Sequence, residues 1–118
     1  GRLIGEAGAL KRAIETCLLE TRLTIGSGFG QCDPGAGYSS IQSGVNGNSA
    51  PSVTVVPDAG VPYVTMSNTG EATIEGTFGN RAATILQGAK VTWSRDAGGS
   101  WSCSTTAPLT FVISGCSN

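Results

Sequence analysis

The residues of this chain best equipped for chemistry are its four cysteines, Cys17, Cys32, Cys103 and Cys116. A thiol can ligate metal, attack as a nucleophile or crosslink. Zinc sites use short spacings such as Cys-x-x-Cys and often include histidine. Here the members of the two pairs stand 15 and 13 residues apart and the chain contains no histidine. An even cysteine count in 118 residues therefore reads as two disulfides formed in an oxidising compartment, the periplasm, the cell surface or beyond. Four cysteines allow three connectivities. The local one, Cys17 with Cys32 and Cys103 with Cys116, closes a short loop each time and is the one expected. A closed loop of about 15 residues contributes roughly 3 kcal/mol in the chain-entropy account.

Other candidates for chemistry are thin. The chain has no Gly-x-Ser-x-Gly elbow and no Walker loop. Glu71 and Glu75, four apart, read as solvated strand residues rather than an acid–base pair. Asp96 is the one acidic residue of the run Asp96-Ala97-Gly98-Gly99, which reads as a turn rather than a Ca²⁺ loop. Lys90 and Arg95 read as strand ends, not a basic patch. Trp93 and Trp101 could stack on a sugar if exposed, but at alternating strand positions beside Val91 and Cys103 they read as core. No catalytic residue, cofactor or metal is expected. Seven basic against eight acidic residues, without a basic run, exclude a general nucleic-acid footprint. No apolar run approaches the roughly 20 residues that span a bilayer. The start, Gly1-Arg2-Leu3-Ile4, lacks Met and reads as that of a processed or trimmed piece.

The elements that must position the cysteines follow from periodicity. Leu3, Ala7, Leu10, Ile14, Cys17, Leu18 and Thr21 share one face of a helix expected over residues 3–22. Lys11 and Glu15 lie off that face and are spaced to pair at i, i+4. No Ser, Thr, Asp or Asn caps the start, as in the lower half of a longer helix. Residues 26–60, rich in Gly, Ser, Asn and Pro, read as a long loop with a short strand at Val53–Val56. From Pro34 to Pro57 the loop carries no charge, so it can lie against identical neighbours without repulsion. Strands are expected at Tyr63–Met66 and Ala72–Phe78 around the turn Asn68-Thr69-Gly70, and at Lys90–Arg95 and Ser100–Ser104 around Asp96–Gly99. The expected fold is α+β: one N-terminal amphipathic helix packed on a roughly four-stranded antiparallel sheet, with a disulfide-closed C-terminal loop.

The helix segment Glu6-Ala7-Gly8-Ala9-Leu10-Lys11-Arg12-Ala13-Ile14-Glu15 resembles the exposed half of the type IV pilin helix. Ile85-Leu86-Gln87-Gly88-Ala89-Lys90-Val91-Thr92-Trp93-Ser94-Arg95, then Gly99-Ser100-Trp101-Ser102-Cys103, then a closing Cys116, resemble type IVa major pilins of the PilA type. The likeness covers about half the chain. It implies a single globular domain over 1–118: residues 1–25 as the exposed half of the long helix, 26–60 as the αβ-loop, 61–105 as the sheet, and 103–116 as the D-region loop. It also implies an apolar helix of about 25 residues before Gly1, which anchors the subunit in the inner membrane before assembly and then forms the fibre core.

By the same resemblance the chain is a structural subunit of an extracellular type IV pilus. Its implied partners are identical subunits in a helical fibre, minor pilins and the inner-membrane assembly machinery. Host surfaces, phage and DNA are partners of such fibres, which serve adhesion, twitching motility, DNA uptake and phage attachment. The D-region would present Thr105, Thr106, Pro108, Leu109 and Thr110 as an interaction loop. Cys17–Cys32 departs from the usual pattern and would stiffen the αβ-loop. Two alternatives stand beside this reading. One is a minor pilin or type II secretion pseudopilin, although major pseudopilins carry Ca²⁺ where Cys103–Cys116 stands here. The other is a secreted carbohydrate-binding module built on Trp93 and Trp101.

Overall fold

The computed structural model describes residues 8–38, 42–43, 47–51, 59–80, 82, 84–106 and 116–117. Among the described residues, helix α1 (Lys11–Leu19) packs on a sheet of β1 (Tyr63–Met66), β2 (Ala72–Thr77), β3 (Lys90–Arg95), β4 (Trp101–Thr105) and β5 (Cys116–Ser117). The spatial order follows the chain, β1-β2-β3-β4-β5. The first four strands form the expected antiparallel meander. The two residues of β5 add a parallel edge beside β4, which the sequence pattern did not signal. The smallest principal extent, 16 Å, is that of one helix layer on one sheet layer.

Helix α1 covers the central part of the expected helix; residues 3–7 lie outside the described residues. No side chain caps its start. Ile14 N–H donates to the Leu10 carbonyl at 3.0 Å, so the first turn closes on backbone alone. Its end is a Schellman turn. Thr21 N–H reaches Leu18 O at 3.2 Å and Arg22 N–H reaches Cys17 O at 2.9 Å. Thr21 supplies the left-handed residue (φ 55°) that glycine normally provides. Thr21 is therefore outside the helix and exposed, not on its buried face.

Leu10, Ile14 and Cys17 are the buried stripe of the helix, and they meet Val64, Ala72 and Ile74 from β1 and β2. Strand β2 reads buried at Ala72, Ile74 and Gly76 and half-buried at Thr73, Glu75 and Thr77, the alternation of a sheet covered on one face. Val91 and Cys103 form a second small core with Phe78 and Trp93. Strand β2 stops at Thr77, and Phe78 instead bridges to Gln42 of the long loop. Glu71 precedes the strand and is exposed.

The long loop docks on the edge of β1. The Asn48 side chain acts as a strand residue: its Nδ2 donates to Val64 O at 2.9 Å and its Oδ1 accepts from Val64 N–H at 2.7 Å. Ser49 Oγ donates to Pro62 O at 2.6 Å. An edge strand's free N–H and C=O groups invite pairing with another chain, and here the loop takes them. The strand expected at Val53–Val56 lies outside the described residues.

Candidate functional site

Three constructions hold the parts of this molecule that could meet a partner: a clasped loop after the helix, a junction between helix and hairpin, and the C-terminal edge of the sheet.

Cys17, in the last turn of α1, is bonded to Cys32 with their Cα atoms 5.7 Å apart. Both are buried. The chain between them turns back on itself. Ile25 and Cys32 form a parallel bridge, with Cys32 N–H to Thr24 O at 2.8 Å and Gly26 N–H to Cys32 O at 2.9 Å. Arg22 Nη1 donates to Gln31 O at 3.3 Å. At the tip, Gln31 Oε1 accepts from Gly28 N–H at 2.9 Å. Phe29, on that tip, is fully exposed. The expected pairing of the first two cysteines is thus present, and it pins the loop to the helix.

The junction was not visible as such in the sequence. Glu15 does not pair with Lys11. Its carboxylate accepts from Arg95 Nε at 2.7 Å and Arg95 Nη2 at 3.2 Å, and from Trp101 Nε1 at 2.8 Å. Arg95 and Trp101 face each other across β3 and β4, so one helical carboxylate ties both strands of the hairpin to α1. Arg95 Nη1 also donates to Gly70 O, at the β1–β2 turn. The Arg95 hydrogen bonds, aided by Trp101, hold Glu15 below the ordinary carboxylate range despite partial burial. The same contact pushes Arg95 up. Lys11 instead sets its ammonium 3.8 Å from the centre of the Trp93 ring, a cation–π contact. A side chain at Gly8 would stand 3.1 Å from Trp93 Nε1, so glycine there admits the indole.

One signal could have found this junction. Val91, Trp93 and Arg95 alternate on one face of β3, so Arg95 points inward and needs a carboxylate. Trp93 and Trp101 are half-buried and pack on the core, as expected. Lys90 and Arg95 are not a basic patch: Lys90 lies 3.3 Å from Glu75 and Arg95 is held by Glu15. Asp96 is used by its turn, where Oδ1 accepts from Ser100 N–H at 2.9 Å.

At the C-terminal edge, Cys103 is buried and disulfide-bonded. Its backbone register partner in β5 is Cys116. Thr105 lies within β4 with its side chain buried, and its hydroxyl donates to Lys90 O at 2.9 Å. Thr106 closes the same strand pair: its N–H donates to Lys90 O at 3.0 Å and its Oγ1 accepts from Lys90 N–H at 2.8 Å. Pro108, Leu109 and Thr110 lie outside the described residues. No helix among the described residues is long and apolar enough to cross a membrane.

Comparison with known proteins places these features in context. A family model described as pilin, a bacterial filament protein, matches residues 1–117. A "Probable minor fimbrial protein" of Dichelobacter nodosus is 39% identical over 115 residues, covering 98% of this chain and 71% of the relative. A "Type IV major fimbrial protein FimA" of the same organism is 36% identical over 118 residues, covering 98% and 72%. "Fimbrial protein Q" of Moraxella bovis is 32% identical over 122 residues, covering 98% and 73%. Among solved structures, the "Cs1 pilin chimera" superposes with a TM-score of 0.63 at 21% identity, over 98% of this chain and 91% of that one. That last likeness concerns the fold alone.

Proposed function

This chain belongs to the pilin family of bacterial filament proteins, and from that premise we propose that it is a structural subunit of a type IV pilus. The observation that carries the reading is the family match, which runs from residue 1 to residue 117 and takes in helix, loop and sheet together. Its work is mechanical, not catalytic. The subunit presents the globular domain at the fibre surface, and an apolar helix preceding Gly1 packs in the fibre core after holding the subunit in the inner membrane. Identical subunits are its first partners; minor pilins and an inner-membrane assembly machine are the others. Host surfaces, phage and DNA meet the finished fibre.

We propose one globular domain of four parts: residues 1–25, which carry the exposed helix half ending at Leu19, the αβ-loop (26–60), the sheet (61–105) and the D-region (103–116). Cys103–Cys116 closes that last region. Support comes from the buried, disulfide-bonded Cys103 and its register with Cys116. Thr106, Pro108, Leu109 and Thr110 are its proposed interaction residues, while Thr105 serves the strand.

A second reading is favoured by one observation: relatives named as probable minor fimbrial proteins match at 39%, against 36% for a major one. Quantitative mass spectrometry of fibres sheared from cells producing the complete subunit decides between them. As a bulk subunit the chain dominates the fibre protein; as a minor one it is present at a small fraction. Its absence from the fibres contradicts both.

A further inference from the structure

The outward face of the sheet is built almost wholly of hydroxyls. Alternation turns Val64, Ile74 and Trp93 toward the core and their strand neighbours the other way. In register across four strands stand Thr65, Thr73, Ser94 and Ser102, and beside them Tyr63, Glu75, Thr92 and Ser104. Thr77 faces Lys90 at the next step. Seven of these ten side chains are Ser or Thr and none is purely aliphatic. The two charges among them, Glu75 and Lys90, lie 3.3 Å apart and cancel. Strand spacing sets the members of a row about 4.8 Å apart, and two residues of strand set the rows about 7 Å apart. Thr65 and Thr73 already bond hydroxyl to hydroxyl at 2.5 Å.

A pocket of about 100 Å³ opens at one end of this face, between Tyr63, Glu75, Thr77 and Lys90 of the sheet and Ser43 and Gly47 of the long loop. Its loop wall is fastened to the sheet. Ser43 N–H donates to Thr77 O at 2.8 Å. A Cβ on Gly47 would collide with the Val61 carbonyl oxygen, so glycine lets the loop lie this close. The volume is that of about three waters, room for one substituent of a ligand rather than for a whole molecule. At its rim Tyr63 is 42% exposed, an aromatic body with a polar tip. Trp93 and Trp101, the aromatics that the sequence offered for sugar stacking, are packed against the core instead.

Chemistry excludes most partners for this face. Nucleic acid or an anionic membrane requires uncompensated cations, and its one lysine is neutralised by Glu75. A second sheet laid on it requires apolar side chains between the layers, and the rows supply none. A neutral glycan meets what is there. A sugar ring has an apolar flank for Tyr63, and its hydroxyls donate and accept as those of Ser and Thr do. An exocyclic group fits the pocket, where Lys90 can donate and Glu75 can accept. We propose that the outward face around Tyr63 binds neutral polysaccharide, with Tyr63 stacked on one ring and the Ser/Thr rows taking the rings that follow. Each such site is weak, and repetition along a fibre multiplies it. For that repetition the inference rests on the fibre-subunit reading above.

The test is saturation-transfer NMR on fibres from cells producing the complete subunit. The neutral probes are cellohexaose, maltohexaose and N-acetylchitohexaose, and a heparin fragment is the anionic one. At least one neutral probe is expected to receive saturation at its ring protons, equally at about 0.05 M and about 0.5 M salt. Tyr63→Ala is expected to weaken that binding roughly tenfold, and Tyr63→Phe to leave it within about twofold. The pair Glu75→Gln with Lys90→Met removes both charges of the pocket together, so neither is left unpaired. It is expected to weaken binding about fivefold and serves where Tyr63→Ala fails to assemble. Saturation of no neutral probe, undiminished binding by Tyr63→Ala fibres, or binding of the heparin fragment alone overturns the site. A chain absent from the fibres overturns the fibre-subunit reading instead, and the same measurement on the purified complete subunit then decides the site by itself.

Discussion

Glu15 does more for this fold than its place on the polar side of a helix suggests. Its folded pKa is depressed by Arg95 and Trp101. The stabilisation it gives is therefore complete above the unfolded carboxylate range, near 4.3, and is lost as pH falls through the lower folded value. Glu15→Gln should lower the melting temperature at pH 7 and flatten the decline of stability between pH 5 and pH 2; thermal melts across that range check both effects. Thr21 offers the opposite change. It is a β-branched residue held at φ 55°, where glycine escapes the clash of Cβ with the backbone. Thr21→Gly should stabilise the domain by about 1 kcal/mol in urea unfolding. Neither role was legible from the helical wheel. The i, i+4 rule correctly notes that Lys11 and Glu15 can pair, but it says nothing of the sheet below. There an inward Arg95 and an indole N–H compete for the carboxylate, and the Trp93 ring competes for the ammonium.

At the scale of elements, helix, hairpins and turns followed the pattern because each is a local decision. Alternation in β2 and β3 and the glycines at the turns specify strands whatever lies across from them. The long loop was legible as a loop but not as a partner of the sheet. Nothing in Asn48 announces that its side chain will cap Val64, since that choice depends on chain 16 residues away. The parallel β5 was hidden for a like reason: two residues are too short for any period. The first disulfide could be anticipated from spacing, and its energetic part is testable. Replacing Cys17 and Cys32 together by Ser should cost about 3 kcal/mol. Hydrogen exchange should show loss of protection at Gly26 and Cys32, whose N–H groups bond within the clasped loop, while the β2–β3 ladder keeps its own. Equal loss throughout would mean that the clasp and the sheet fold as one unit.

At the scale of the whole molecule, the design is a thin two-layer slab with one crosslink, Cys17–Cys32, at the helix end and its hairpin tied back to the helix by one carboxylate. Glu15 and Arg95 join helix to sheet, and the Cys17–Cys32 bond joins the loop that follows to the helix. The loop sequence carries no charge from Pro34 to Pro57, and Phe29 stands fully exposed. That arrangement, with a family match along nearly the whole chain, is what a repeating surface subunit requires. The most direct measurement is a helical reconstruction, at side-chain resolution, of fibres from cells producing the complete subunit. The account predicts that this domain is placed repeatedly around a core of packed helices, with Glu15 still joined to Arg95 and Trp101. Fibres whose density fits another chain, with this one found only outside them, would contradict it.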